Sequence, residues 1–213
     1  MAGTGAEQSA SLAARTAQKA QQEAASPQWL CARSLELIRG CGIAPEDPIV
    51  EASGDPTLVE RLLAAGYRDI TMLRPSPEAL EQLRARLGDR ADCVQLVPLG
   101  PAEFRPQRRY ALWHDASVFQ CLLHPEERQR YVETVQQALR PEGYLVLMTS
   151  GPNGPHELAG HPVRRYSIQT LPAELGSQFE LTGHGLAQQP VSPGAAQELL
   201  HCRFRRHAPR WPH

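Results

Sequence analysis

Four times in this chain a proline stands at the head of an amphipathic run: after Ser26, Asp55, Ser76 and His124. Proline is well suited to the first helical position, because its missing N–H would have no partner there and its φ is already helical. Ser26, Asp55 and Ser76 are good caps for the free amides behind them. Gly40, Gly66 and Gly88 close the first three runs,. The apolar stretches 49–52, 70–73, 93–97, 110–114 and 144–148 lie between and after these helices and read as strands,. Such alternation predicts a mainly parallel sheet covered by helices on both faces.

The end of the chain breaks the pattern. A Gly/Pro-rich loop follows residue 148, then a short helix over 167–175, then two strands over 179–182 and 198–204 with little helix between them. Those two strands are expected to pair antiparallel at one edge. The fold class is α/β: a Rossmann-like, doubly wound seven-stranded sheet, mainly parallel, with an antiparallel C-terminal edge strand.

Composition bounds the function classes. The net charge of −1 gives no global argument for nucleic acid or a membrane surface,. No run of about 18 apolar residues exists to span a bilayer, and the first residues lack a signal peptide's apolar core. The five cysteines, Cys31, Cys41, Cys93, Cys121 and Cys202, are scattered and form no CxxC. They suit a reduced cytoplasm. Residues 1–26, rich in Ala, Gln, Ser and Glu, read as a flexible segment or frayed helix. Residues 27–206 form the expected domain, and 207–213 a basic tail. No spacing of His or Cys points to a metal.

The stretch Glu51-Ala52-Ser53-Gly54-Asp55-Pro56 joins the first strand to a helix. That strand–turn–helix geometry is the one in which nucleoside cofactors are held at a helix N-terminus. Two longer runs extend the reading. Residues Tyr110-Ala111-Leu112-Trp113-His114-Asp115-Ala116-Ser117-Val118-Phe119-Gln120-Cys121-Leu122 are similar to YDLWHDRAVFHFL, and Leu139-Arg140-Pro141-Glu142-Gly143-Tyr144-Leu145-Val146-Leu147 to LRPGGxLVL. On these runs, and on the loop Gly160-His161-Pro162-Val163-Arg164-Arg165-Tyr166-Ser167, the chain resembles class I S-adenosylmethionine-dependent methyltransferases over roughly residues 28 to 206.

The resemblance implies S-adenosylmethionine as cofactor, bound by Glu51, Ser53, Gly54, Asp55, Arg74, Leu99, Asp115 and Phe119, with Asp115 as the catalytic candidate. It also locates departures. The family's acidic-GxG motif appears as Glu51 with Ser53 and Asp55 in place of two glycines. The acidic residue that accepts from the ribose hydroxyls is Arg74, which has donors only. The acidic residue after the third strand is missing from the run Val97-Pro98-Leu99-Gly100-Pro101. In the fourth-strand run, Ala111, Ala116 and Gln120 replace Asp, Arg and His.

Arg74 admits two readings: a pocket that prefers an anionic nucleotide, or an ion pair with Glu51 or Asp55 that fills the site. The second is preferred, because all three residues converge at the strand ends. Asp115 is read as a residue that positions an acceptor or acts as a base, or equally as a cap for the following turn. His114 is read as a packed, hydrogen-bonded histidine. Two functions follow. One is a methyltransferase with an atypical donor pocket and an unknown acceptor, small molecule or protein. The other is a non-catalytic relative that keeps the fold as a binding or assembly module with a protein partner.

Overall fold

The computed structural model describes residues 27–158, 160–192 and 195–207. The expectations for residues 1–26 and for the tail beyond His207 fall outside these. The elements run α1 (Pro27–Arg39), β1 (Ile49–Glu51), α2 (Pro56–Ala64), β2 (Ile70–Leu73), α3 (Pro77–Leu87), β3 (Val94–Val97), β4 (Tyr110–Ala116), α4 (Pro125–Ala138), β5 (Leu139–Ser150), β6 (Glu157–Leu158), β7 (His161–Pro162), α5 (Thr170–Leu175), β8 (Phe179–Ser192) and β9 (Ala195–Arg206).

Seven strands form one sheet in the order β3-β2-β1-β4-β5-β9-β8. Strands β1 to β5 pair in parallel, and β9 is antiparallel to β5 and to β8. The expected antiparallel edge is therefore a hairpin, with the last strand inside it and β8 outermost. Strand order reverses between β1 and β4, the switch point at which open α/β sheets bind ligands.

The central strands β1, β2 and β4 are buried along their whole length, and β5 is buried from Leu145 on, so their two faces feed two cores. Ile49, Ile70, Met72, Leu112 and Val146 pack with Cys31 and Ile38 of α1, Leu58 and Leu62 of α2, and Leu80 and Leu83 of α3. Val50, Leu73, Trp113, Leu145 and Leu147 pack on the other face with Tyr131 and Val135 of α4 and Leu171 and Leu175 of α5. This two-sided burial explains why the central strands read as unbroken apolar runs.

The proline-headed helices begin where the sequence puts them. Asp55 accepts from the Thr57 amide at 2.8 Å, and Ser76 from the Ala79 amide at 3.4 Å. Four strands differ markedly in extent. Strand β4 runs on to Ala116, so Asp115 lies within it. Strand β5 begins at Leu139, with an irregular start between the Tyr110–Leu139 and Leu112–Tyr144 pairs. Strands β8 and β9 are 14 and 12 residues long, much longer than the polar, glycine-bearing sequence predicts. Gly185 shows why a glycine sits inside β8: a Cβ there would lie 2.7 Å from the His201 ring on β9,.

Among the described residues, no helix is long and apolar enough to cross a membrane. Burial pushes the thiols of Cys31, Cys41, Cys121 and Cys202 up to about 12. They are packing groups rather than reactive ones.

Candidate functional site

The turn between β1 and α2 is organised by one carboxylate. Glu51, fully buried, accepts from the Ser53 amide at 3.1 Å, the Gly54 amide at 2.7 Å and the Asp55 amide at 3.0 Å. Three consecutive N–H groups gathered on one acidic side chain fix the path of the loop. Gly54 has φ 72°, and it is the only residue of the trio with positive φ. The glycine that the backbone requires has been kept, and side chains occupy the two positions that tolerate them. Ser53 Oγ accepts from the Ala116 amide at 2.6 Å and so ties the turn to the end of β4. Burial, and then the Glu51 charge, hold the Asp55 carboxyl above its usual range.

Arg74 ends in this turn, but not as an ion pair. Its guanidinium donates to the Gly54 carbonyl, and no salt bridge joins it to Glu51 or Asp55. The expected pairing is corrected for a physical reason. Glu51 is taken up by three amides and Asp55 by the helix cap, so the carbonyl of the left-handed glycine is the acceptor that remains. Burial lowers the Arg74 pKa, and the nearby Glu51 and Asp55 charges oppose that shift. Among the described residues, its Nε has no hydrogen-bond partner. Leu99 is exposed in the turn after β3 and is not drawn into the buried cluster.

Asp115 closes a second turn, after β4. It is fully buried and accepts from the Val118 amide at 2.8 Å, the Phe119 amide at 3.0 Å and the Tyr131 hydroxyl at 2.6 Å. Burial raises its carboxyl to about 6, against the lowering effect of those donors. A general base must reach the proton it removes. Asp115 is enclosed by internal donors, so of its readings the structure supports the cap. Phe119 is likewise part of the core. It lies 5.0 Å from the Tyr131 ring and stacks on Tyr166 at 5.5 Å.

Four polar residues of the site have no distinguishing sequence signal. His114 Nδ1 lies 3.4 Å from Glu51 Oε1, and its Nε2 lies 2.9 Å from Ser34 Oγ on α1. A buried chain thus links α1, β4 and the β1–α2 turn. Gln120 Oε1 accepts from the Ser150 amide, which holds the turn after β4 to the end of β5. Only the fold brings Ser34, Gln120 and Ser150 to the strand ends, and His114 reads in sequence as ordinary packing. An open cleft of about 670 Å³ lies elsewhere, between α4 and α5, lined by residues that include Gln129, Glu133, Arg164 and Glu174.

The donor implied by the resemblance can be tested against these groups. The β1–α2 turn has the required backbone form. At the end of β2, Arg74 offers hydrogen-bond donors and no acceptor.

No protein-family model and no curated protein sequence matches the chain. Solved structures do. The N-methyltransferase NodS from Bradyrhizobium japonicum WM9, in complex with S-adenosylhomocysteine, superposes with a TM-score of 0.66 at 17% identity, covering 87% of this chain and 90% of that one. The 1,6-didemethyltoxoflavin-N1-methyltransferase of Burkholderia thailandensis gives 0.64 at 21% identity, covering 82% and 76%. The CcbJ methyltransferase from Streptomyces caelestis gives 0.65 at 16% identity, covering 83% and 89%. With the sheet order β3-β2-β1-β4-β5-β9-β8, these similarities establish that the chain has the class I S-adenosylmethionine-dependent methyltransferase fold.

Proposed function

We propose that this chain is an S-adenosylmethionine-dependent methyltransferase with an atypical donor pocket, acting on an unidentified small-molecule or protein acceptor in the cytoplasm. The observation that carries this reading is the β1–α2 turn. Glu51 gathers three amides, Gly54 takes the left-handed conformation, and the turn sits at the switch point of the sheet. Structural relatives captured with S-adenosylhomocysteine or S-adenosylmethionine support it. In this reading Arg74 leaves the Gly54 carbonyl when the donor enters, so donor affinity is low. Neither a membrane nor nucleic acid is a partner.

Calorimetry with S-adenosylmethionine and S-adenosylhomocysteine tests the reading. Weak binding is expected, and Arg74→Asp should strengthen it about tenfold or more by restoring an acceptor and removing a buried cation. No binding at millimolar ligand by either protein would sink it.

A second reading, a non-catalytic binding module, is favoured by one specific feature. Glu51, Ser53, Arg74, Asp115 and Phe119 are all buried against the protein's own groups. In that case Arg74 is a permanent part of the core, and Arg74→Asp costs stability with no gain in donor affinity. Measured methyl transfer to any acceptor by the purified protein would reject this second reading.

A further inference from the structure

The two edges of the sheet are protected differently. Strand β3 closes one side and is only four residues long, Val94–Val97. So short an edge gives another chain little to pair with. Strand β8 closes the other side and is 14 residues long. Its inner edge pairs with β9. Among the described residues, no other strand and no backbone hydrogen bond outside that ladder reaches residues 183–189. The outward N–H and C=O groups of that run are left for water or for another chain.

The features that commonly block an edge lie outside the run. Bulges interrupt the ladder between Leu181 and Gly183 and between Pro190 and Ser192. Glu180 is the only Asp, Glu, Lys or Arg of β8, and it precedes the first bulge. Pro190, which has no N–H to offer, stands at the second,. Between them Gly183 to Gln189 keeps unbroken register with Arg203 to Gln197 on β9. At the centre of the run is Leu186, at 55% the most exposed of the large hydrophobic residues described.

The run is complementary to itself. Antiparallel pairing about a twofold axis at Leu186 sets position 183 against 189, 184 against 188 and 185 against 187. Both bulges then fall outside the pairing. On the exposed face Leu186 meets its own copy and His184 meets the partner's Gln188, so no like charges are opposed,. On the other face Gln189 meets Gly183 and Ala187 meets Gly185, so a larger residue always faces a glycine. We propose that β8 is the interface of a homodimer, in which two copies join edge to edge through residues 183–189 and their sheets become one. Main-chain hydrogen bonds supply the attraction, and the isologous contact closes on itself, leaving neither β8 edge open. The contact is small for a specific interface, so a dissociation constant of roughly 1–100 μM is expected. The dimer is independent of the donor pocket, because β8 lies three strands from β4 in the sheet.

Sedimentation equilibrium of the full-length protein across the micromolar range is the test. The mass should rise with concentration from one chain to two. Leu186→Lys sets two cations face to face at the axis and should weaken association about tenfold. Leu123→Lys, at an exposed leucine in another part of the molecule, should not. Hydrogen exchange of the unmodified protein gives the location. Amides of residues 183–189 should become more protected as concentration rises, and those of Val94–Val97 should not change. Leu186→Cys should give a disulfide-linked dimer on mild oxidation, because directly opposed Cβ atoms lie about 4.5–5.5 Å apart. Gln188→Cys should not, because the register sets it about 13 Å along the strand from its own copy. A protein that stays monomeric at every concentration overturns the proposal. So does a monomer whose 183–189 amides are already protected, which would mean that another part of the chain covers the edge. Association that survives Leu186→Lys, or that leaves exchange at 183–189 unchanged, overturns it as well.

Discussion

The turns after β1 and after β4 are built on one plan and carry it out differently. In each, an acidic residue at the end of the strand accepts from the amides that follow: Glu51 from three, Asp115 from two and from the Tyr131 hydroxyl. The first turn places glycine where φ is positive, at Gly54. The second places Ser117 there, with φ 96°. The first leads into a capped helix of nine residues, and the second into three residues of 3₁₀ helix packed among aromatic rings. One carboxylate therefore shapes a relaxed loop at the switch point. The other holds a strained loop against the core, which is how strain persists in a folded protein.

The sharpest break of this comparison is Asp115→Ala. It leaves two amides and a tyrosine hydroxyl buried without an acceptor, and should cost about 3–5 kcal/mol in urea unfolding. A loss below about 1 kcal/mol would mean the turn is held by its aromatic contacts alone. The pH dependence is next. The folded Asp115 carboxyl titrates near 6, above the roughly 3.9 of an unfolded chain. Between those values the folded state binds the extra proton. The contribution of Asp115 is therefore most favourable below about pH 4 and is lost as pH rises through about 6, a change on the order of 3 kcal/mol. Asp115→Asn should remove that slope from the stability profile, and an unchanged profile would show that another group carries it.

The glycine exchange addresses the backbone directly. Gly54→Ala forces a side chain into the left-handed region and should destabilise by about 1–2 kcal/mol. Ser117→Gly relieves the same strain in the other turn and should stabilise by about 0.5–1 kcal/mol. Thermal midpoints of the two variants should move in opposite directions, and movement in the same direction would dissolve the contrast. Glu142→Gly is the smallest change. Glu142 also holds positive φ, at 64°, and its carboxylate reaches Arg205 at 2.7 Å on the surface. Exposed pairs contribute little, so a net gain of about 0.5 kcal/mol is expected.

Much of the architecture was legible because it is encoded over a few neighbouring residues. Pro27, Pro56, Pro77 and Pro125 each begin a helix at the expected place, and the Asp55 cap is both expected and observed. The long β8–β9 hairpin was less so. Polar residues with Gly183 and Gly185 depress strand propensity, yet pairing along β9 carries the strand to Ser192. The site was legible only in part. Glu51 and Gly54 stand in the turn that the motif marks out. The partner of Arg74, the enclosure of Asp115 and the packing of Phe119 depend on residues far along the chain, such as Tyr131 and Tyr166.

The sequence by itself determined the order of strands and helices and the class of fold, since caps, prolines and apolar period act locally. Which polar groups are free for a ligand was decided by tertiary structure alone. A side chain's role depends on which acceptors around it are already taken. Glu51 and Asp55 are taken by amides, so Arg74 turns to the Gly54 carbonyl.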